Sequence, residues 1–275
     1  MSFIIAIILG IVQGLTEFLP VSSSGHLVLF QKLLGFKGPT LVMDTALHVG
    51  TLIAVIVFVR TEIISIIKDL PQAGRFIIRG SFFKAWTEVT WFRILILVGI
   101  ATIPAGVIGC LFKDWFESLF ESASTVGGML MITGIILLGS RLLPSPKLSL
   151  ETFGILRAII IGFAQAIAII PGISRSGVTI VSGIACRFSK EDAARFSFLL
   201  SIPTIGGAAF LQLRKLSSLS LHEIQTILLG LAISAVVGYL SLTLLIRLLK
   251  SERFHFIGFY CLLVGGIAVA ATMMT

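Results

Sequence analysis

The chain has 275 residues, of which 56% are hydrophobic and only 12% charged, and its mean hydropathy is +1.08. A soluble domain carries about a quarter charged residues, so this composition excludes one and requires an integral membrane protein. A net charge of +8 would suit a nucleic-acid partner, but the basic residues are scattered between apolar runs with no aromatic interleaving, which excludes that partner and leaves topology to explain them.

The first ten residues, Met1 to Gly10, have no basic leader and no small-residue cleavage site before the polar cluster that follows. The expectation is that no signal peptide is removed there. That cluster, TEFLPVSSSGH from Thr16 to His26, breaks an otherwise apolar run into two halves. Neither half reaches the roughly 20 residues that a helix needs to cross a bilayer core. Residues 3–34 are therefore predicted to form a re-entrant helix-loop-helix hairpin.

Farther along, apolar runs near 41–60, 92–112, 123–142, 196–213, 224–247 and 256–274 are each long enough to span. They lack the strict alternation of a membrane β-barrel. Residues 61–91 read as a basic loop, and a second broken segment falls at 153–187. Lys and Arg are unevenly distributed between the two sides. One side collects Arg60, Lys68, Arg75, Arg79, Lys84 and Arg93, then Arg141, Lys147, Arg157, Arg187, Lys190 and Arg195, then Arg247, Lys250 and Arg253. The other keeps Lys32, Lys37, Lys113, Arg214 and Lys215, together with the acidic loop of Asp114, Glu117 and Glu121. The richer side is expected to be cytoplasmic, which puts both termini outside. Arg214–Lys215 runs against the rule. Cys110, Cys186 and Cys261 stand in apolar sequence without metal or disulfide spacing and read as packing residues.

The second broken segment repeats the first. GIVQGLTEFLPVSSSG from Gly10 recurs as GFAQAIAIIPGISRSG from Gly162, with Gln13 matching Gln165, Ser22 matching Ser174, Ser24 matching Ser176 and Gly25 matching Gly177. A shorter echo, TIPAGVIG from Thr102 and SIPTIGGA from Ser201, follows each copy. An odd number of spans separates the hairpins, so they enter from opposite faces as an inverted-topology repeat. The implied organisation is one membrane domain: repeat 1 over about 1–122, a linking helix at 123–142, repeat 2 over about 153–247 and a final helix at 256–274. Broken backbone at membrane depth must be buried in protein or line a cavity, so the turns are expected to meet at a polar pocket. Half-helix N-termini there would favour an anionic ligand. The plainer alternative is that Ser22, Ser23, Ser24, Ser174 and Ser176 only cap helices.

A carboxylate at membrane depth needs a partner, and for Glu17 that partner is expected to be Arg175 on the other hairpin. A purely structural ion pair is the alternative. Gln13 shares a helix face with Glu17, and Asp44 and His48 share one on the next span, where they would support the pocket.

The runs QGLTEFLPVSSSGH (13–26) and PGISRSGVT (171–179), with SFLLSIP (197–203), closely resemble the undecaprenyl-diphosphate phosphatase, or bacitracin resistance protein, family over essentially the whole chain. The resemblance implies hydrolysis of undecaprenyl diphosphate to the monophosphate and inorganic phosphate, which recycles the lipid carrier of cell-wall synthesis in the bacterial cytoplasmic membrane. It implies re-entrant hairpins in inverted repeat with a pocket open to the outer face. It also implies a catalytic set of Glu17, Ser23, His26 and Arg175, with Gln13, Ser22, Ser24, Ser174, Ser176 and Thr179 around the phosphates. A divalent ion, Mg²⁺ or Ca²⁺, is implied too, with Glu17 as its ligand. Many members carry Glu where this chain has Gln13, which leaves one carboxylate in the motif.

Ser23 is the candidate nucleophile, with His26 or Glu17 as its base, or else Glu17 activates a water while Ser23 orients phosphate. Arg175 offers the planar donor fork that phosphate oxygens need. Two other readings compete. A lipid-phosphate or ion-coupled secondary transporter uses the same inverted-repeat plan, but needs no nucleophile and would release no phosphate in detergent. The type 2 phosphatidic acid phosphatase family shares the fragment SSGH, but its Lys-x₆-Arg-Pro element is missing. Gly127–Gly128 and the small residues near Gly265–Gly266 read as helix-packing sites, either within one chain or between the subunits of a homodimer.

Overall fold

A computed structural model describes residues 2–33, 35, 40–143, 148–213 and 220–273. Lys37, Lys147, Arg214 and Lys215, all counted in the charge asymmetry, lie outside the described residues, as does the last residue of the final expected span. The described chain is all helical, with one isolated bridge between Leu148 and Phe188.

Helices α1 (Phe3–Phe18) and α2 (Ser23–Leu33) form the first broken segment, and α9 (Ile155–Ile167) and α10 (Arg175–Ala185) the second. Between them run α3 (Thr40–Phe58), α4 (Arg60–Ile78), α5 (Phe82–Glu88), α6 (Thr90–Leu111), α7 (Lys113–Leu119) and α8 (Ala123–Gly139). After them come α11 (Lys190–Leu213), α12 (Leu221–Lys250) and α13 (Ile257–Met273). Five helical stretches are long and apolar enough to cross a membrane: 90–111, 123–142, 190–211, 221–250 and 254–273. The pair Val42–Phe58 and Arg60–Ile78, bent by 70° at its break, supplies a sixth. The protein is thus a multi-pass, all-α membrane protein.

One expectation is corrected. Residues 61–91 are not a loop but the helices α4 and α5. Ile63 and Ile66 pack on the core while Ile64, Ile67 and Ile78 face outward, and Lys68, Arg75 and Arg79 occupy a neighbouring face. This is helical spacing, with apolar and basic residues on adjacent stripes. The high count of basic residues masked that period.

The packing exchanges partners between the two halves. α1 lies against α12, and α9 lies against α6; α3 packs on α12, and α11 on α6. The TIPAGVIG and SIPTIGGA echo does not follow this exchange, because it falls on α6, which holds α9, and on α11, which holds α10 and α3. Lipid offers no hydrophobic drive between helices, so contact comes from close backbone approach at small residues. A Cβ on Gly127 would meet the Gly265 carbonyl at 2.9 Å, and one on Gly265 would meet that of Gly127 at 2.5 Å. Gly134 and Gly258 meet in the same reciprocal way, at 2.7 and 2.6 Å. These glycines therefore join α8 to α13 inside one chain, while Gly128 and Gly266 face open space.

Candidate active site

Both breaks are built on the same local rule. Ser22 precedes α2 and Ser174 precedes α10, and each hydroxyl accepts the N–H three residues on, Gly25 N at 3.3 Å and Gly177 N at 3.1 Å. Each cap is also paired with the next serine but one, Ser22 with Ser24 at 3.3 Å and Ser174 with Ser176 at 3.1 Å. This satisfies one helix-end donor per turn. Ser22 and Ser174 are thus the N-caps of α2 and α10.

The turns cross. A Cβ on Gly25 would lie 3.2 Å from Gly172 Cα, and one on Gly177 would lie 3.3 Å from Pro20 Cβ. Pro20 and Gly172 are themselves matching positions of the repeat, so the two contacts are exchanged copies of each other. The Ser176 hydroxyl also donates to the Leu19 carbonyl across the crossing, at 3.3 Å. Each turn is held from behind by the other half's neighbour: the Thr133 hydroxyl on α8 donates to the Gly172 carbonyl at 2.9 Å and accepts Ser174 N–H at 3.1 Å. Cys261 on α13 points its thiol at the Pro20 carbonyl, 3.6 Å away.

The crossing brings Glu17 onto Arg175. Glu17, 6% exposed, meets the Arg175 guanidinium with Oε1 at 2.5 Å. Its Oε2 accepts the Ser23 hydroxyl at 2.6 Å and the Gln13 amide at 2.9 Å, with His48 Nε2 3.7 Å away. Arg175 makes this contact through one Nη and retains 15% side-chain exposure. Such a buried carboxylate survives only with this density of donors.

The remaining expected residues fall around this centre. His48 donates its Nδ1–H to the Asp44 carbonyl at 2.7 Å, and the Asp44 carboxylate accepts the Gln31 amide at 2.7 Å, which fixes that face of α3. Thr179 donates to the Arg175 carbonyl at 2.8 Å and pairs with Ser197 at 2.7 Å. His26 makes no bond to Ser23 among those present. Its ring bonds the Ser22 carbonyl through Nδ1 at 2.9 Å and the Tyr260 hydroxyl through Nε2 at 2.8 Å. Thr133 and Tyr260 join the site without having been candidates from the sequence, and Ser197 belongs to the SFLLSIP run; a hydroxyl in an apolar span and one of only two tyrosines are the signals that could have found the first two.

No group of three or more His, Cys, Asp or Glu among the described residues is placed to hold a metal ion alone. Gln13 Oε1, however, is buried without a hydrogen-bond partner, on the helix face it shares with Glu17. One carboxylate and one amide oxygen suit a hard divalent cation that takes its other ligands from phosphate and water.

Comparison with known proteins identifies relatives over nearly the whole chain. The family model described as bacitracin resistance protein BacA matches residues 6–267. A protein of Halothermothrix orenii named undecaprenyl-diphosphatase is 44% identical over 261 residues, 94% of each chain. Proteins of the same name from Methanobrevibacter smithii and Methanosphaera stadtmanae are 41% and 38% identical over 96% and 98% of each chain. With a family match over nearly its full length and such relatives covering almost every residue, the chain belongs to the bacitracin resistance protein BacA family.

Proposed function

We propose that the protein is an undecaprenyl-diphosphate phosphatase, a hydrolase that releases undecaprenyl phosphate and inorganic phosphate, recycles the cell-wall lipid carrier and thereby confers bacitracin resistance. The observation that carries the reading is the Ser23 hydroxyl on Glu17 Oε2 at 2.6 Å beside a half-paired Arg175. Relatives at 38–44% identity, named undecaprenyl-diphosphatase, support it.

Phosphoryl transfer is accelerated mainly by positioning and charge neutralisation. Arg175 and the free N–H groups at the starts of α2 and α10 receive the diphosphate, with Ser24 and Ser176 at its edge. Ser23 Oγ attacks the terminal phosphorus while its proton passes to Glu17. The bridging P–O bond breaks, and undecaprenyl phosphate leaves as a weak base that needs no proton. Water then hydrolyses the phosphoserine, and Glu17 returns the proton to Ser23. Gln13 and Glu17 would hold Mg²⁺ or Ca²⁺, which when bound neutralises diphosphate charge.

In this reading the two hairpins are re-entrant, an inverted repeat over about 1–122 and 153–247, and the pocket opens to the outer face of the cytoplasmic membrane. Ion pairs Arg195–Glu62, Lys190–Glu252 and Lys250–Glu191 gather at one end of the bundle, the expected cytoplasmic end. A second copy of the chain would pack beside Gly128 and Gly266. The test is phosphate release from undecaprenyl diphosphate by purified protein in detergent with Mg²⁺ or Ca²⁺. Turnover supports the phosphatase; intact substrate, in a preparation that binds it, would favour a carrier.

A further inference from the structure

Matching positions of the repeat act as an internal control on what His26 does. Ser22 and Ser174 occupy the same cap position, yet Ser174 has an ordinary extended φ of −75° whereas Ser22 is left-handed at φ 66°. A residue with a Cβ adopts that region rarely and only when its surroundings impose it. Four residues on from each cap, the second copy has Val178, whose contact with Ser174 is the ordinary main-chain bond at 2.9 Å. The first copy has His26, which bonds the Ser22 carbonyl twice, through its own N–H at 3.1 Å and through ring Nδ1 at 2.9 Å.

A carbonyl only accepts, so Nδ1 carries the hydrogen and, in the neutral ring, Nε2 is the acceptor for the Tyr260 hydroxyl at 2.8 Å. The two ring planes are nearly parallel, 8° apart, with their centroids 5.7 Å from each other. His26 is buried, and Tyr260 on α13 holds its Nε2 from the rim of the site. Both His26 nitrogens are thus occupied, and neither faces the Ser23 hydroxyl.

We propose that Tyr260 is a positioning residue for the phosphatase reaction: through His26 it locks the Ser22 carbonyl, and so the left-handed turn that aims Ser23 at Glu17. This rests on the phosphatase reading above. The bracing is present in the copy that carries Ser23 and absent from the copy in which the matching position is Arg175, whose long side chain reaches Glu17 from an unstrained backbone. Direct proton transfer by Tyr260 is the competing role.

The experiment is a double-mutant cycle on phosphate release from undecaprenyl diphosphate in detergent. Tyr260→Phe should lower kcat about tenfold with KM little changed. Replacing Tyr260 with 4-aminophenylalanine, which keeps the reach of the ring and a donor for Nε2, should recover most of that rate. Ser22→Gly adopts the left-handed turn without a Cβ, so in that background Tyr260→Phe should cost less than threefold. A tenfold loss in both backgrounds would overturn positioning in favour of proton transfer, and no loss from Tyr260→Phe would overturn any role. Independently of turnover, ¹⁵N spectra of His26 should show a protonated Nδ1 and a bare Nε2 whose shift moves in Tyr260→Phe; an Nε2–H tautomer would sink the proposal. Wild-type protein that releases no phosphate, with that tautomer intact, would count against the phosphatase reading and leave the bracing standing.

Discussion

The two hairpins share a backbone recipe and divide the chemistry between them. Each has a serine cap, a serine partner two residues on and a glycine where the turns cross, and these positions make the same contacts in both copies. At the intervening position the copies differ: Ser23 in one, Arg175 in the other, both reaching the same carboxylate. Glu17 in turn matches Ile169 in the second copy. The repeat supplies a scaffold in which two helix starts meet, and divergence at two matched positions, 23/175 and 17/169, supplies the nucleophile, base and anion clamp of the proposed reaction. Shared positions should therefore govern folding, and divergent ones turnover.

The largest effects should come from divergent positions. Glu17→Gln is expected to lower kcat by about 10³, within the range for loss of a base in phosphoryl or acyl chemistry, with lipid binding retained in a filter or flotation assay. Arg175→Lys should cost about 10², because one ammonium cannot hold both Glu17 and a phosphate oxygen. The matching change Ile169→Leu should leave the rate within about twofold, since it keeps apolar volume. Equal losses at Glu17 and Ile169 would erase the distinction between scaffold and chemistry.

Next in size should be Gly172→Ala. Its φ of 97° and a Cβ 2.4 Å from the Val126 carbonyl leave no room, so folded yield should fall sharply on size exclusion. Thr133→Val removes the donor to Gly172 and the acceptor of Ser174 N–H and should cost roughly 1–3 kcal/mol, read as a lower thermal midpoint. Smallest should be Ser22→Ala and Ser174→Ala, each about 1 kcal/mol as a lost helix cap. A cap loss confined to one copy would break the equivalence.

Much of this was legible in the chain. The polar cluster Thr16–His26 and its recurrence at Gly162–Gly177 located both turns, and the rule that a membrane carboxylate needs a cation paired Glu17 with Arg175 before any coordinates. What was missed depends on contacts between helices far apart in sequence. Thr133 in α8 and the adjacent Tyr260 and Cys261 in α13 sit in otherwise apolar spans, and nothing in a local period tells which turn they touch. α4 and α5 were hidden for a different reason: their basic stripe suppresses mean hydropathy while the helical spacing of Ile63, Ile66 and Ile67 persists.

The paired glycines between α8 and α13 have a mechanical consequence. α8 grips the second turn through Thr133, and α13 grips the first through Cys261. Main chain lies on main chain at Gly127–Gly265 and Gly134–Gly258, so these two props are riveted to each other. Rocking one half against the other would have to prise that rivet open, and a fold fastened in this way is suited to keeping reacting groups in register rather than to passing cargo through.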